Sequence, residues 1–337
     1  MKLRMNLGED SYDILIEHGI LSRAGEHLNL NRRVCIVTDS GVPAQYAETV
    51  AAQCKEATIV TFPQGEGSKH LDTFAMVLED MLEAGLTRGD CVVAVGGGVV
   101  GDLAGFAAAT YLRGIRFIQV PTTLLAAVDS SVGGKTAIDL SMGKNLLGAF
   151  CQPSLVLCDT DTLNSLPVDI FRDGCAEVIK YGVLYDPDLF ASLESTGLDF
   201  DREAVIKRCV ELKRDVVMED EFDTGMRMKL NLGHTIGHGV EASSNFTLSH
   251  GKSVAIGMAI VSRASHCPDN DRIIAILKQF GLPTATNYSA EELFACALSD
   301  KKRTGGTVNL IIPRSIGDCA IVPTPVEKLK SFIQAGL

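Results

Sequence analysis

The chain has 337 residues, with 31 Lys and Arg against 42 Asp and Glu, so its formal net charge at pH 7 is −11. This length predicts about two domains of roughly 150 residues each. A composition of 46% hydrophobic and 22% charged residues is that of a globular chain and excludes a disordered one. The acidic balance offers no broad positive surface for nucleic acid or anionic membranes, so an anionic ligand needs a local basic cluster.

The cysteines and the most apolar segment favour a cytoplasmic protein. The ten cysteines are scattered between Cys35 and Cys319 without a Cys-x-x-Cys pair, and the N-terminus has no signal-peptide pattern, so we expect reduced thiols. The apolar stretch 91–110 contains four glycines within six residues, and it contains Asp102, which a membrane helix tolerates at a cost of about 3 kcal/mol. We therefore predict a cytoplasmic protein without a membrane or nucleic-acid partner.

Short apolar runs alternate with helical stretches in the first half of the chain. A weak alternation over residues 1–30 predicts two opening strands. Five further buried strands are predicted at 34–38, 58–62, 91–95, 117–120 and 155–158. Helical stretches such as 71–84 and 100–111 separate them, which predicts an α/β domain with a largely parallel sheet.

After Pro167 the pattern changes to long helical periods. The predicted helices cover 172–184, 201–218, 226–244, 250–265, 270–280 and 290–299, and a last strand pair is predicted at 308–312 and 320–322. We therefore predict two domains, 1–167 and 168–337, the second of them helical.

Two glycine-rich segments indicate phosphate binding. Residues 96–101 read Gly-Gly-Gly-Val-Val-Gly between a strand and a helix, which satisfies Gly-x-Gly-x-x-Gly. The acidic residue that a standard dinucleotide fingerprint places after the next strand is missing, because that strand ends in Val-Pro-Thr-Thr at 120–123. A tight turn that only packs closely is the alternative. Residues 133–136, Gly-Gly-Lys-Thr, lack the first P-loop glycine, because Asp129 stands in its place. A solvated lysine loop is the alternative, but Lys135 and Lys144 among glycines, near Asn145 and with few acidic neighbours, suit an anion better.

The segment 227–241 is the most informative. On one continuous helix, five polar side chains share a face, which is not a packing stripe: Arg227, Asn231, His234, His238 and Glu241. The His-x-x-x-His spacing suits a shared metal ion or a metal with a proton relay, and His250 could supply a third imidazole.

Three further polar residues stand on predicted helices. Lys213 lies in an otherwise apolar column, so it either extends to solvent or meets an anion. Glu177 and Lys180 are three residues apart; taken alone they indicate an exposed salt bridge, but with the two histidines the glutamate completes a Glu-His-His set typical of open zinc sites.

An ordered set of motifs closely resembles the 3-dehydroquinate synthase family, between about residues 30 and 320. The motifs are Gly65-Glu66-x-x-Lys69, Gly96-Gly97-Gly98-x-x-Gly101-Asp102-x-x-Gly105, Arg113-Gly114, Pro121-Thr122-Thr123, Asp129-Ser130-Ser131-x-Gly133-Gly134-Lys135, Glu177-x-x-Lys180-Tyr181-Gly182, Asn231-x-Gly233-His234-x-x-Gly237-His238, His250-Gly251 and Asp300-Lys301-Lys302.

The resemblance implies a Rossmann-like, NAD-binding N-terminal domain and a helical, metal-binding C-terminal domain. It implies the conversion of 3-deoxy-D-arabino-heptulosonate 7-phosphate to 3-dehydroquinate and phosphate, a step of the shikimate pathway that leads to the aromatic amino acids. In this reaction NAD takes a hydride and later returns it, phosphate is eliminated, and an intramolecular aldol step closes the ring. The implied partners are a sugar phosphate and a second copy of the chain, and the implied metal is zinc, with cobalt as the alternative.

The resemblance also implies a role for each matched residue. Glu177, His234 and His250 are the implied metal ligands, which leaves His238 as a hydrogen-bond and proton-transfer group. The implied phosphate pocket is Arg113, from across a homodimer interface, with Lys135, Asn145 and one of Lys301 or Lys302. The implied groups for the carboxylate and ring hydroxyls are Asp129, Lys180, Lys213, Arg227 and Asn231. The implied NAD contacts are Asp39, Glu66, Lys69, Gly97, Gly98, Val99, Val100, Asp102, Thr122, Thr123, Lys144, Thr160, Thr162 and Leu163.

The sequence departs from the family pattern at two places, and three other functions are possible alternatives. Gly41 stands where the resemblance implies Asn, so a hydrogen bond to the adenosine ribose is expected to be missing, and the chain is shorter than many family members around 265–300. The alternatives are a cyclase for a different sugar phosphate, a metal-dependent NAD alcohol or glycerol dehydrogenase, and a nucleotide-binding module without activity. The basic and amide groups at 227 and 231 favour a carboxylate-bearing substrate.

Overall fold

A computed structural model describes residues 1–301 and 306–337, without the side chains of 297–301. The described chain divides into two compact units. The first unit is Met1–Pro167 with Arg202–Met218, and the second unit is Val168–Asp201 with Glu219–Leu337. A helix from the second half of the sequence thus belongs to the first unit. The predicted domains, 1–167 and 168–337, stay a prediction.

The first unit contains a seven-stranded sheet in the order β1-β2-β9-β6-β5-β3-β4. Only the edge pair β1–β2 is antiparallel, and all other neighbouring strands are parallel. The strands of this unit are β1 (Lys2–Met5), β2 (Tyr12–Glu17), β3 (Arg33–Asp39), β4 (Glu56–Phe62), β5 (Cys91–Gly96), β6 (Arg116–Pro121), β7 (Lys135–Leu140), β8 (Gly143–Phe150) and β9 (Leu155–Asp159). The predicted α/β sheet and its seven strands are confirmed.

The central strands are apolar throughout because both faces of the sheet are covered. In β5 every residue is buried, and successive side chains enter opposite cores. Val92 and Ala94 belong to one hydrophobic cluster, whereas Val93 and Val95 belong to the other. The helices of this unit are α1 (Ala24–His27), α2 (Ala44–Ala51), α3 (Leu71–Glu83), α4 (Gly98–Thr110) and most of α7 (Arg202–Glu219).

The glycines around α4 have a packing role as well as a possible ligand role. A Cβ on Gly101 would lie 2.7 Å from the Gln119 side chain of β6, and a Cβ on Gly105 would lie 2.5 Å from Thr136 Cγ2. Real Cβ atoms do not approach so closely, so these glycines let α4 lie directly on its neighbours. The close-packing alternative therefore accounts for part of the glycine pattern.

A β-hairpin replaces the loop that the sequence suggested around Lys135. Strands β7 and β8 pair antiparallel, with Lys135 opposite Phe150. The strand β8 exposes Leu146, Leu147 and Phe150, so it lacks the apolar–polar alternation by which a half-buried strand is detected in a sequence. Lys135, Lys144 and Asn145 are thereby held on a regular element.

The second unit is helical, with one strand pair. Its helices are α5 (Val168–Tyr185), α6 (Pro187–Thr196), α8 (His234–Ser243), α9 (His250–Ala264), α10 (Asn270–Gln279), α11 (Ala290–Lys301) and α12 (Val326–Gly336), and its strands are β10 (Thr307–Ser315) and β11 (Asp318–Pro325). The predicted helical texture and the last strand pair are confirmed. Among the described helices, none has the length and apolar character that a bilayer span requires.

The continuous helix predicted over 226–244 is wrong. A 3₁₀ helix covers Met226–Asn231, and α8 begins only at His234. Gly233 between them has a φ of 78°, a left-handed conformation that ends a helix. A Cβ there would lie 2.7 Å from the carbonyl oxygen of Val254 in α9, so close packing of α8 on α9 requires the glycine. Arg227 and Asn231 therefore do not continue the face of His234, His238 and Glu241.

Candidate functional site

Three helices of the second unit bring together Glu177, His234 and His250. Glu177 Oε1 lies 3.5 Å from His234 Nε2 and 3.4 Å from His250 Nε2. The three potential ligand atoms all lie within 4.8 Å of one another. The resemblance had implied this set, whereas spacing alone had favoured pairing His234 with His238.

The spacing of these atoms fits one tetrahedral metal ion. Bonds of about 2.1 Å from zinc to nitrogen or oxygen place two ligand atoms about 3.4 Å apart in a tetrahedron. The separations of 3.5 Å and 3.4 Å match this edge. Two imidazoles and one carboxylate leave a fourth position open, as in catalytic rather than structural zinc sites.

The second ring nitrogen of His234 fixes its orientation. His234 Nδ1 lies 3.1 Å from the carbonyl oxygen of Leu232, so this nitrogen donates its proton to the carbonyl and Nε2 keeps its lone pair for a metal. Burial lowers the pKa of His234 to about 3. The ring is therefore neutral near pH 7, which is the form that coordinates a metal.

His250 differs because it lies between two carboxylates. Burial acts to lower the pKa of His250, but its contacts with Glu177 and Glu241 outweigh burial and raise that pKa to about 10. Without a metal ion the ring therefore carries a proton, which a cation at Nε2 has to displace.

Lys180 forms a buried ion pair with Glu177, one helical turn away on α5. Their side chains are 1% and 0% exposed, so the interpretation of this pair as an exposed salt bridge is wrong. A buried pair of this kind is costly to break, since either partner alone would be an uncompensated charge. The ammonium of Lys180 thus compensates the negative charge of the Glu177 carboxylate, the same group that would bind a metal ion.

His238 is exposed and lies beside the Glu177-His234-His250 group rather than in it. Its ring centroid is 5.5 Å from that of His234 and 6.2 Å from that of His250. It also belongs to a second group of potential ligand atoms, with Glu241 and His250. An exposed imidazole can form hydrogen bonds with a bound molecule through either ring nitrogen.

A carboxylate that the sequence analysis missed holds the segment before Arg227. Asp220 Oδ2 accepts hydrogen bonds from the backbone nitrogens of Gly225 (2.7 Å) and Arg227 (3.0 Å), and Oδ1 accepts one from Thr224 N (2.9 Å). The bond from Thr224, with the other backbone bonds, lowers the pKa of Asp220 to about 2. The Arg227 side chain is 3% exposed, and its Nη1 donates to the Glu221 carbonyl at 2.5 Å. Asn231 ends the 3₁₀ helix that follows.

In the first unit, Lys213 of α7 meets Asp129. The Lys213 ammonium contacts the Asp129 carboxylate and donates to its carbonyl oxygen at 2.6 Å. Asp129 lies in a π-helical turn, Ala126–Ser130. The inward lysine therefore has a protein carboxylate as its partner, where the sequence had left solvent or an anion as alternatives.

A second cluster in the first unit is centred on Lys69, which is 4% exposed. Lys69 Nζ lies 2.5 Å from Asp102 Oδ2 and 2.5 Å from Asn145 Oδ1, and Lys144 Nζ lies 3.3 Å from Glu66 Oε1. Burial acts to lower the pKa of Lys69, but Asp102 and Glu66 outweigh it and raise that pKa. The cluster joins four predicted NAD contacts to Asn145, a predicted phosphate contact.

The other predicted NAD contacts lie at the carboxyl ends of neighbouring parallel strands. Asp39 ends β3, Thr122 and Thr123 follow β6, and the 3₁₀ turn Thr160–Ser165 follows β9. Gly97 precedes the first turn of α4, which contains Gly98, Val99 and Val100. This edge of an open α/β sheet is where such folds bind ligands.

The described residues of the predicted phosphate pocket other than Asn145 do not lie in the Lys69 cluster. Arg113 (φ 71°) stands between α4 and β6, and hence at the amino end of the sheet, opposite to the strand ends above. Lys135, which begins β7, is exposed. Lys302 lies outside the described residues, as does the side chain of Lys301.

Gly41 donates its N–H to Asp39 Oδ1 at 2.8 Å, and burial raises the pKa of Asp39.

Comparison with known proteins gives consistent matches along the chain. Residues 59–173 match the 3-dehydroquinate synthase N-terminal family and residues 174–303 match the 3-dehydroquinate synthase C-terminal family. A 3-dehydroquinate synthase from Pelobacter propionicus is 48% identical, with 97% of each chain covered. One from Caulobacter vibrioides is 46% identical, with 98% of this chain and 97% of the other covered.

Solved structures with this fold include other sugar-phosphate cyclases. A 2-deoxy-scyllo-inosose synthase with carbaglucose-6-phosphate, NAD⁺ and Co²⁺ has a TM-score of 0.89 and 26% identity over 100% of both chains. The 2-epi-5-epi-valiolone synthase of Streptomyces hygroscopicus, with NAD⁺ and Zn²⁺, has a TM-score of 0.89 and 27% identity over 98% and 97% of the two chains. The two family matches together cover most of the sequence, and the chain belongs to the 3-dehydroquinate synthase family.

Proposed function

We propose that the chain converts 3-deoxy-D-arabino-heptulosonate 7-phosphate to 3-dehydroquinate and phosphate, and that it works in the cytoplasm as part of aromatic amino acid biosynthesis. The observation that carries this proposal is the Glu177-His234-His250 group, whose spacing fits one tetrahedral ion with an open position. It belongs to a chain that shares 48% identity with a 3-dehydroquinate synthase over nearly its full length.

Two bound groups supply the redox and Lewis-acid chemistry in this proposal. When bound, NAD would supply a hydride acceptor and donor, and a divalent ion, zinc or cobalt, would supply Lewis-acid polarisation of an oxygen. Glu177, His234 and His250 hold the ion. Glu66, Lys69, Asp102 and Lys144 hold the dinucleotide together with the glycine turn at 97–100 and the strand-end residues at 39, 122, 123, 160, 162 and 163.

The remaining polar residues of the second unit bind the substrate and move protons. The guanidinium of Arg227, positioned through Asp220, suits a substrate carboxylate because it can bind both of its oxygens. Asn231 donates and accepts hydrogen bonds to ring hydroxyls. His238, which is exposed, exchanges protons with the substrate, and Lys180 donates a hydrogen bond to it from beside Glu177.

Asp129 and Lys213 are proposed as a second polar pair for the ring hydroxyls. Their contact pairs a lysine that is 6% exposed with a carboxylate, so its ammonium can donate to a hydroxyl oxygen without a further cost of desolvation. The Asp129 carboxylate remains an acceptor for a hydroxyl proton.

A phosphate pocket of Lys135, Asn145, Lys301 or Lys302, and Arg113 of a second subunit completes the proposal. The position of Arg113 at the amino end of the sheet supports its action in a homodimer. We predict that Arg113→Ala raises the KM for the phosphate-bearing substrate about tenfold, the equivalent of one charged hydrogen bond, and leaves NAD affinity unchanged. Steady-state kinetics and NAD titration test this role, and equal losses in both would contradict it.

Two other enzyme functions are less well supported. The inosose and valiolone synthases are 26% and 27% identical, against 46% and 48% for the 3-dehydroquinate synthases. A probable glycerol dehydrogenase from Sinorhizobium meliloti has a TM-score of 0.66 and 15% identity over 96% of this chain and 95% of its own, which indicates the shared fold alone. A dehydrogenase also needs fewer Lys and Arg side chains around its substrate.

The test is a turnover assay with purified protein, zinc, the heptulosonate phosphate and NAD well below the substrate concentration. We expect phosphate release far in excess of the NAD supplied, without accumulation of NADH. A dehydratase added afterwards should convert the product to an absorbing enone. NADH formed in proportion to substrate would indicate a dehydrogenase instead. Phosphate release from a glucose or heptulose phosphate, but not from this substrate, would indicate another cyclase.

A further inference from the structure

The two ring nitrogens of His250 face two different carboxylates. His250 Nε2 lies 3.4 Å from Glu177 Oε1, and His250 Nδ1 lies 3.8 Å from Glu241 Oε2. Glu241 has no role in the function proposed above. It lies on α8 seven residues after His234, and this spacing puts both side chains on one face of the helix. Helix α8 therefore supplies the potential ligand His234 and also places the Glu241 carboxylate beside the second histidine, His250.

Glu241 is buried, with 5% of its surface exposed. A carboxylate is rarely buried unless a partner compensates its charge. Its backbone is fixed as well, because the Glu241 carbonyl accepts hydrogen bonds from Ser244 Oγ (2.7 Å) and Phe246 N (2.9 Å) at the end of α8. The carboxylate thus stands at a defined position beside the His250 ring, which is 33% exposed.

We propose that Glu241 is a positioning residue of the metal site, whose carboxylate holds the proton of His250 Nδ1 and directs His250 Nε2 to the metal. Nδ1 lies 3.8 Å from Glu241 Oε2, so a shift of less than about 1 Å in either side chain closes a hydrogen bond. A carboxylate in this position selects the tautomer and makes the imidazole a stronger ligand. The Leu232 carbonyl has the same role for His234. The two histidines therefore differ in their hydrogen-bond acceptor, which is a neutral carbonyl for His234 and a charged carboxylate for His250.

The same atoms allow a second interpretation, in which Glu241, His238 and His250 bind an ion of their own. The separation of 3.8 Å between Glu241 and His250 exceeds the tetrahedral edge of about 3.4 Å, whereas the distances from Glu177 match it. The geometry therefore favours a hydrogen-bond partner over a ligand.

This inference rests on the proposed metal site, and the experiment tests the role of Glu241 separately from the existence of that site. Full-length wild type, Glu241→Gln and His234→Ala are stripped of metal, and zinc affinity is measured by competition with a chromophoric chelator. We expect one zinc per wild-type chain, no tight zinc in His234→Ala, and about 10- to 100-fold weaker zinc in Glu241→Gln, the range for loss of a partner behind a ligand. The Co²⁺-loaded Glu241→Gln protein should show a shifted d–d spectrum.

The matched control is Glu291→Gln, an exposed glutamate on α11 that pairs with Lys330, which should bind zinc like the wild type. Wild-type zinc affinity and an unchanged cobalt spectrum in Glu241→Gln would overturn the inference. Two zinc ions per wild-type chain, one of them lost in Glu241→Gln, would make Glu241 a ligand and also overturn it. Tight zinc binding by His234→Ala would contradict the proposed metal site itself.

A measurement on the wild type does not depend on how any variant folds. In ¹⁵N-histidine-labelled, zinc-loaded protein, the inference predicts that His250 has a protonated Nδ1 and a metal-bound Nε2. A metal-bound Nδ1 in His250 would overturn it.

Discussion

The metal group of the second unit and the Lys69 cluster of the first unit handle buried charge in different ways. In the metal group, Glu177 is fully buried against two imidazoles and Lys180. In the Lys69 cluster, a buried lysine contacts Asp102 directly and lies 3.9 Å from Glu66. The atoms of the metal group have the geometry of ligands around a cation. In the Lys69 cluster, the positive charges of two lysines are close to balanced by the carboxylates of Asp102 and Glu66.

The difference indicates what each cluster can bind. Nitrogen and oxygen atoms that converge at tetrahedral spacing attract a cation and hold it by direct bonds. A lysine already matched by carboxylates and an amide offers hydrogen bonds to a polar ligand without a strong net field. Substitutions in the metal group should therefore alter metal content, and substitutions in the Lys69 cluster should alter nucleotide affinity alone.

The strongest test of this comparison is His234→Ala beside His238→Ala. Loss of a ligand from a set of three should weaken zinc by more than about 100-fold, beyond the range for loss of an outer partner, and activity should be lost with the metal. His238→Ala should keep one zinc per chain while its activity falls. Metal analysis after dialysis checks both. Stoichiometric zinc in both variants would contradict the ligand assignment.

The next test uses the buried pair of Lys180 and Glu177. Lys180→Met leaves the Glu177 carboxylate without its ammonium, so we expect the metal-free protein to lose about 3 kcal/mol of its free energy of unfolding. The loss should be smaller in zinc-loaded protein, because the ion then compensates the carboxylate. Urea unfolding with chelator and with zinc gives both values, and Lys278→Met, at an exposed position of α10, is the control. Equal losses in the two conditions would be evidence against metal at Glu177.

The corresponding test in the first unit is Asp102→Asn. It removes the carboxylate 2.5 Å from Lys69 Nζ and lowers the pKa of that lysine toward the value that burial favours. We expect NAD to bind about tenfold more weakly, by roughly 1.4 kcal/mol, with zinc affinity unchanged. Calorimetric titration measures both ligands, and Asp72→Asn, at an exposed position of α3, is the control. A loss of zinc from Asp102→Asn would erase the distinction between the clusters.

Local sequence patterns predicted the central parallel strands well because these are short apolar runs covered on both faces, as in β5. They failed at Gly233, where a helical pattern runs through a break that exists because α8 packs closely on α9. They also failed at β8, whose exposed apolar side chains do not alternate with polar ones. At Gly233 the deciding contact is with Val254 of α9, and periodicity contains no information about it. At β8 the partner is the preceding strand β7, but the exposed apolar side chains offer no alternation to detect.

The candidate site shows the same limit. Glu177 and Lys180 are visible as a helical pair, but their burial is not, since it depends on the packing of α5 against other helices. The partner of Lys213 is Asp129, 84 residues away. Glu241 was visible on the face of α8, but its orientation toward His250 was not. Asp220 did carry a local signal, an Asp followed four residues later by Thr-Gly, which is typical of side-chain capping of a turn.

The smallest expected effect concerns Asp220, which fixes the segment leading to Arg227. An Asn side chain keeps one acceptor oxygen, so Asp220→Asn loses part of the set of bonds from Thr224, Gly225 and Arg227. We expect a loss of about 1 kcal/mol in the free energy of unfolding near pH 7, and a higher KM for substrate, because Arg227 is less well positioned. Zinc and NAD affinities should not change.

The pH dependence of this loss follows from the pKa of Asp220. These hydrogen bonds lower it from 3.8 to about 2 in the folded state, so the ionised carboxylate contributes stability that is fully present above the unfolded value. That contribution is lost as the pH falls through the folded value. The difference between wild type and Asp220→Asn should therefore be constant from about pH 7 to pH 5 and should shrink below about pH 4. Urea unfolding at a series of pH values measures it, with Asp318→Asn, at an exposed position of β11, as the control. A difference that stays constant below about pH 4 would mean that Asp220 does not act through its charge.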